Sequence, residues 1–281
     1  MEKESSTRVV ACKLEISFWV QLKVLVGRDF FNFMRNPLMV GLRIVETIAV
    51  ALFIGSIFYK FSGEYIEEVN WRALTGFLFF MSIAVSMINM AAVSFTFPND
   101  RDVFLKEEGA KLYSTVAYFL SRNIIELPYA VVFPFFQSLI IYWFVNLSST
   151  ATQFFTFYLI SYLLTLNGES LGLMVGSIAS DVKSVTNIAT MVFLPLFLFG
   201  GFFKNINTLP KWVGWIQYIT PFKYGFAAFI QNEVLFASES RVGELNFDFG
   251  LWGNIGMLAV LALGFRVVSL VFLWALRSKL Q

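Results

Sequence analysis

Residues 73–97 read ALTGFLFFMSIAVSMINMAAVSFTF, 25 consecutive positions without an Asp, Glu, Lys or Arg. A helix rises about 1.5 Å per residue, so roughly 20 apolar residues cross the ~30 Å of bilayer hydrocarbon. Five other runs read alike, at 38–59, 115–145, 151–180, 185–203 and 251–276. Composition agrees: the 281 residues are 57% hydrophobic, 18% aromatic and only 14% charged, with mean hydropathy +0.69, whereas soluble domains average about 45–50% apolar and about 25% charged. The expected fold is therefore an all-α polytopic membrane protein with six spans, one membrane domain and no soluble one.

Cytoplasmic loops hold an excess of Lys and Arg. With the N-terminus inside, segments 1–37, 98–114, 181–184 and 277–281 hold twelve of these residues, and the opposite segments 60–72, 146–150 and 204–250 hold six over nearly equal length. Both termini are expected in the cytoplasm. Residues 1–20 begin with Glu2, Lys3 and Glu4 and carry no early apolar run or small-residue cleavage site, so the first span is expected to serve as the insertion signal. The sole cysteine, Cys12, permits no disulfide within the chain.

Residues 18–34 differ from the spans. Phe18, Leu22, Leu25 and Val26 recur at helical spacing against Gln21, Lys23, Arg28 and Asp29, the pattern of an amphipathic helix on the inner leaflet or of a cap to span one. Pro37 then turns the chain, because proline disfavours a helical predecessor. Between spans, the strongly charged segment is 98–114, where Asp100, Arg101, Asp102, Lys106, Glu107, Glu108 and Lys111 surround Val103, Phe104 and Leu105. A charge cluster is commonly a solvated turn. Three apolar side chains amid the charges read instead as a hydrophobic knob that docks into a partner's groove.

The ordered strings DRDVFLKEE at 100–108, YFLS at 118–121, ELP at 126–128, FGGFF at 199–203, LPKW at 209–212, WIQY at 215–218, PFKYGF at 221–226 and NE at 232–233 resemble the transmembrane domain of ABC transporters of the G (White) subfamily, over residues 14–276. The resemblance implies an ABC-2 (type II exporter) transmembrane domain: an amphipathic connecting helix, six spans, a coupling helix after span two and a re-entrant outer hairpin at about 204–236, flanked by tails 1–13 and 277–281. Pro210, Pro221 and Lys223 argue against a seventh span there.

It further implies coupling to a nucleotide-binding cassette through Arg101, Asp102, Phe104, Lys106 and Glu107. A substrate path would be lined by Ile83, Met87, Phe193 and Phe197, and an outer valve formed by Phe202 and Phe203. Rings and Met sulfur make an adaptable apolar surface for greasy cargo. Two departures bear on this carry-over: residues 204–250 hold no cysteine, and Met87 stands where some drug exporters place a clamping Phe.

The sequence contains no G-x-x-x-x-G-K-[ST] loop, no Gly-Lys pair and no histidine. ATP hydrolysis needs backbone amides and a lysine around the phosphates, so the chain itself has no catalytic residue, cofactor or metal, and ATP and Mg would be bound by a partner cassette. The expected function is the permease part of an ATP-driven exporter of lipids, sterols or other amphipathic organic molecules, with a second transmembrane domain in a homo- or heterodimer, the bilayer as its medium and no nucleic acid. The alternative is an orphan or truncated domain that dimerises with full-length relatives and regulates them.

Charges within spans are costly. Arg43 and Glu46 stand three apart and Arg122 and Glu126 four apart, so each pair is expected to share a helix face. Glu169 and Arg266 have no local partner; a buried contact is expected for Glu169, and for Arg43 and Arg122 snorkelling towards the inner leaflet. The resemblance adds a role for such residues in relaying motion across the membrane. Gly168, Gly172 and Gly176 repeat every fourth residue, which lets helix backbones approach closely in lipid, within one protomer or between two. Asn146-Leu147-Ser148 fits a glycosylation sequon beside the membrane.

Overall fold

The computed structural model describes residues 17–35, 37–59, 68–110, 112–147, 150–179, 181–202, 212–234 and 248–278. Among these the secondary structure is helical: α1 Phe18–Met34, α2 Pro37–Ile57, α3 Glu68–Gly109, α4 Thr115–Val145, α5 Ala151–Ile178, α6 Val182–Leu198, a 3₁₀ turn Gly214–Tyr218, α7 Pro221–Val234 and α8 Leu251–Ser278. Helices α2, α3, α4, α5 and α8 are long and apolar enough to cross a membrane; α6, apolar over Lys183–Leu198, is shorter. The chain is thus an integral multi-pass membrane protein, in an arrangement consistent with six spans.

Local chemistry sets the helix ends. Pro37 occupies the first turn of α2, where its missing N–H has no helical partner to lose. Ser114 caps α4 by accepting from the Ala117 N–H at 3.2 Å, and Asn146 closes it in the left-handed region at φ 57°. Asp181 and Ser184 cap α6 reciprocally, the arrangement that satisfies two orphan N–H groups at once.

Helix α3 corrects the sequence reading of residues 98–114. Its 42 residues continue through Pro98 to Gly109, so the charged segment is the helical continuation of span two and the reversal into α4 takes only a few residues. Proline deletes one helical N–H, but the flanking turns keep the direction.

At the centre lies the α3–α5 seam. A Cβ added at Gly168 would stand 2.3 Å from the Ser86 carbonyl oxygen, at Gly172 2.7 Å from that of Met90, and at Gly176 2.9 Å from the Phe97 Cβ. The glycine repeat therefore serves packing within one protomer. In hydrocarbon there is no hydrophobic drive between helices, so close backbone packing and interhelical hydrogen bonds hold them together. The Ser86 hydroxyl donates to the Leu164 carbonyl at 3.1 Å, and the Asn167 amide donates to Leu258 at 2.9 Å, tying α5 to α8.

Helix α7 is almost wholly buried and, at 14 residues, rises about 21 Å, too little to cross. It enters beside α5 and α8, with Gln153 and Asn232 exchanging amide-to-carbonyl bonds at 3.0 Å each. Lys223 is buried because Asp248, at 2.6 Å, and Gln217, at 3.3 Å, receive its ammonium. Residues 203–211, including Phe203, Leu209, Pro210 and Lys211, lie outside the described residues, as do residues 1–16 with Cys12, and Ser148 of the sequon.

Candidate coupling and translocation sites

The charged tip is built from α1, the end of α3 and the start of α4. Arg28 on α1 reaches Glu107 on α3 at 2.8 Å, and the Tyr113 hydroxyl donates to the same carboxylate at 2.6 Å. Gln21 accepts from the Ser114 N–H at 2.9 Å, and the Ser121 hydroxyl donates to Asp29 at 3.4 Å. Burial alone would raise the Glu107 carboxyl, but the hydrogen bonds from Tyr113 and Arg28 outweigh it and hold the group below the ordinary carboxylate range. For Asp100, burial pushes the carboxyl up, opposed by Arg122 at 3.0 Å.

A carboxylate held low contributes stability that is present above the ordinary carboxylate range and lost as pH falls through its folded value. Glu107→Gln is therefore expected to lower stability at pH 7 by about 1 kcal/mol and to flatten the loss below pH 5. Thermal unfolding of parent and variant at pH 4 and 7 checks this; parallel pH profiles would show that Glu107 is not held by these bonds.

Of the five residues assigned to coupling, two are exposed, Asp102 and Lys106. Phe104 is fully buried, stacked on Tyr118 with centroids 4.5 Å apart and packed with Phe97, Leu173 and Leu273. The expectation that Phe104 is a knob offered to a partner is thereby corrected: it locks the α3 tip to the bundle. At 100° per residue the neighbouring Val103 points elsewhere, and it is 51% exposed. Arg101 is buried as well, its guanidinium donating to the Ala179 carbonyl at the end of α5. The surface left for a partner is the stripe Asp102, Val103 and Lys106.

At the opposite end of the bundle from that tip, Phe202 stacks on Phe79 of α3 at 4.8 Å and meets Phe226 of α7 edge-on at 6.0 Å. Because α6 ends at Leu198 and Gly201 takes φ 90°, Phe202 follows a bend, and helical spacing does not set its direction. Phe193 and Phe197 stack at 6.1 Å, with Phe193 also against Phe222; both are half-buried. Ile83 is packed in the core at 7% exposure, while Met87, one turn on, is 52% exposed. Of the proposed path, Met87 and the edges of Phe193 and Phe197 thus reach an open surface.

The intramembrane charges do not pair as sequence spacing proposed in every case. Arg122 meets Glu126 at 3.2 Å along α4, as the four-residue interval allows. Arg43, however, reaches across to Glu126 at 3.4 Å and lies over the Tyr129 ring at 4.7 Å, rather than pairing with Glu46. A carboxylate already held by Arg122, with an aromatic face beside it, offers the guanidinium more than an exposed neighbour on its own helix. Glu169 and Arg266 come together at 3.5 Å, 97 residues apart.

Residues 20–234 match the family model described as ABC-2 type transporter. Among curated proteins, the chain is 27% identical over 280 residues to "ABC transporter G family member 1" of Dictyostelium discoideum, covering 92% of this chain and 35% of that protein. It is likewise 27% identical over 281 residues to "Protein white" of Ceratitis capitata, covering 92% and 40%, and 29% identical over 243 residues to "ABC transporter G family member 35" of Arabidopsis thaliana, covering 86% and 16%. The chain spans two fifths or less of the length of these relatives.

Proposed function

Since the chain belongs to the ABC-2 type transporter family, we propose that it is the permease part of an ATP-driven exporter of lipids, sterols or other amphipathic organic molecules, and that a nucleotide-binding cassette supplies the ATP hydrolysis. The observation that carries this reading is the tip of α3. It projects 11 residues past Pro98, is clamped by Arg28, Tyr113 and Tyr118, and leaves Asp102, Val103 and Lys106 open. A rigid, partly apolar prominence on the helix that also lines the proposed path can transmit a push without bending.

In this reading the cassette binds ATP and Mg and presses on that stripe. The two halves of a dimer then rock about their α3–α6 faces, and cargo passes between Met87, Phe193 and Phe197 towards Phe202. Both termini face the cytoplasm, as the Lys and Arg bias supports. Purified chain alone is expected to show no ATPase activity above background, and co-reconstituted with a G-type cassette to show vanadate-sensitive hydrolysis that Val103→Asp lowers at least five-fold. Hydrolysis by the chain alone, or full stimulation of the variant, would overturn the assignment.

The ring stack at the outer end supports a valve role for Phe202. Stacked aromatic pairs contribute about 0.5–1.5 kcal/mol, small enough to break in each cycle. Phe202→Ala is expected to leave expression unchanged and raise cargo-independent ATPase of the assembled transporter two- to five-fold. Unaltered basal hydrolysis would mean that the ring only fills space against Phe79.

A further inference from the structure

By pairing with Glu126 of α4, Arg43 leaves its helix neighbour Glu46 behind. Arg43, Arg122, Asp100 and Glu126 form a linked set of two cations and two anions. Glu46, one turn along α2 from Arg43, is exposed and has no hydrogen-bond or ion-pair partner among the described residues. It lies nine residues into α2, about 13 Å along the axis, well inside the apolar stretch Val40–Ile57. An unpartnered carboxylate at that depth costs on the order of 2.5–3.5 kcal/mol.

Glu46 borders a shallow, partly open groove between α2, α3 and α4. Its polar lining is Arg43, Glu46, Thr47, Asn89 and Gln137, its apolar lining Ile88, Ala92, Phe133 and Pro134. Gln137 is more than nine-tenths buried, yet its amide has no partner among the described residues. The Thr47 hydroxyl and the Asn89 amide N–H donate to carbonyls of their own helices, at 2.8 Å each, which leaves the two side-chain oxygens able to accept. Among the described residues the groove therefore presents the Glu46 carboxylate without an ion-pair partner, the Gln137 amide, the Thr47 and Asn89 oxygens as further acceptors, and the Phe133 ring beside an apolar wall.

We propose that this groove binds an amphiphile bearing a protonated or quaternary amine, its nitrogen against Glu46 and its apolar body along Ile88, Ala92 and Phe133. The charge balance selects a cation: Arg43 is committed to Glu126, so an anionic head would meet Glu46 unopposed. Phe133 adds a ring face, which attracts a desolvated ammonium, and the Gln137 amide oxygen can accept from an N–H. The head of an amine-bearing phospholipid and a free amphipathic amine share this chemistry. The inference concerns binding alone and stands whether or not the chain exports anything.

The test measures saturable binding of radiolabelled dodecyltrimethylammonium to the purified chain in nanodiscs of a neutral glycolipid. Uncharged dodecyl maltoside and zwitterionic dodecylphosphocholine serve as competitors. Glu46→Gln removes the charge at an exposed position, and Ala92→Trp fills the groove while keeping the charge. Each is expected to weaken binding at least ten-fold, with dodecyl maltoside a poor competitor. Competition by dodecylphosphocholine at similar concentration assigns the site to a lipid head; failure of that competitor assigns it to a free amine. Unchanged binding by Glu46→Gln, or equal competition by dodecyl maltoside, overturns the proposal.

Discussion

Gly168→Val is expected to abolish the folded state or to lower the unfolding free energy by about 3 kcal/mol or more, the upper end of overpacking penalties. The first atom added at this position meets the Ser86 carbonyl oxygen at 2.3 Å, followed by the Ser86 carbonyl carbon and Cα at 3.0 Å. All three are backbone atoms in the middle of a 42-residue helix. No rotamer relieves the clash, so α3 and α5 must separate. Separation also removes the Ser86 bond to the Leu164 carbonyl and the contact of Gly172 with Met90. Gly264→Val on α8 serves as the comparison, because nothing lies within 4 Å of its added Cβ, and a change within about 0.5 kcal/mol is expected there. Fluorescence-detected thermal unfolding in detergent reads both. Equal stability of the two variants would mean that the α3–α5 seam is not the load path of the fold.

Phe104→Ala is expected to lower stability by about 3–5 kcal/mol, as for other fully buried rings, and to uncouple any cassette as a consequence. The ring has no exposed surface and joins α3 to residues of α4, α5 and α8 through Tyr118, Leu173 and Leu273. Its removal frees the tip that Arg28 and Tyr113 otherwise hold through Glu107. Substitution of Val103, Asp102 or Lys106 is expected to leave the unfolding midpoint within a degree or two and to affect only cassette stimulation. The two measurements together distinguish a lock from a contact: Phe104→Ala must shift the melting curve, and Val103→Asp must not. A Phe104→Ala protein as stable as the parent would return Phe104 to the role of a docking knob.

Much of this was legible in the chain because hydrophobicity in a membrane protein is a local property. The apolar runs placed the spans within a few residues of α2, α4, α5 and α8, and the amphipathic alternation of residues 18–34 coincides with α1 at both ends. Proline reads less reliably. Pro37 does open a helix, but Pro98, Pro128 and Pro134 lie inside helices, because neighbouring helices and intact flanking turns offset one missing N–H. The four-residue spacings were legible wherever both partners sit on one helix. Arg122 does meet Glu126, and the Gly168 series does face a neighbour.

What the sequence by itself determined about this protein is its solvent: an apolar chain with six charge-poor runs must satisfy its backbone internally, and helices do that without reference to anything distant. The family strings added which kind of machine such helices build. Only the tertiary structure decided which side chains meet. Arg28 and Glu107 are 79 residues apart, Arg43 and Glu126 83, and Glu169 and Arg266 97, and no periodicity reports such distances. The same cause buried Phe104, exposed Val103 and left Glu46 without an ion-pair partner among the described residues. A side chain's direction follows from its helix, but what stands in that direction is fixed by how the helices pack.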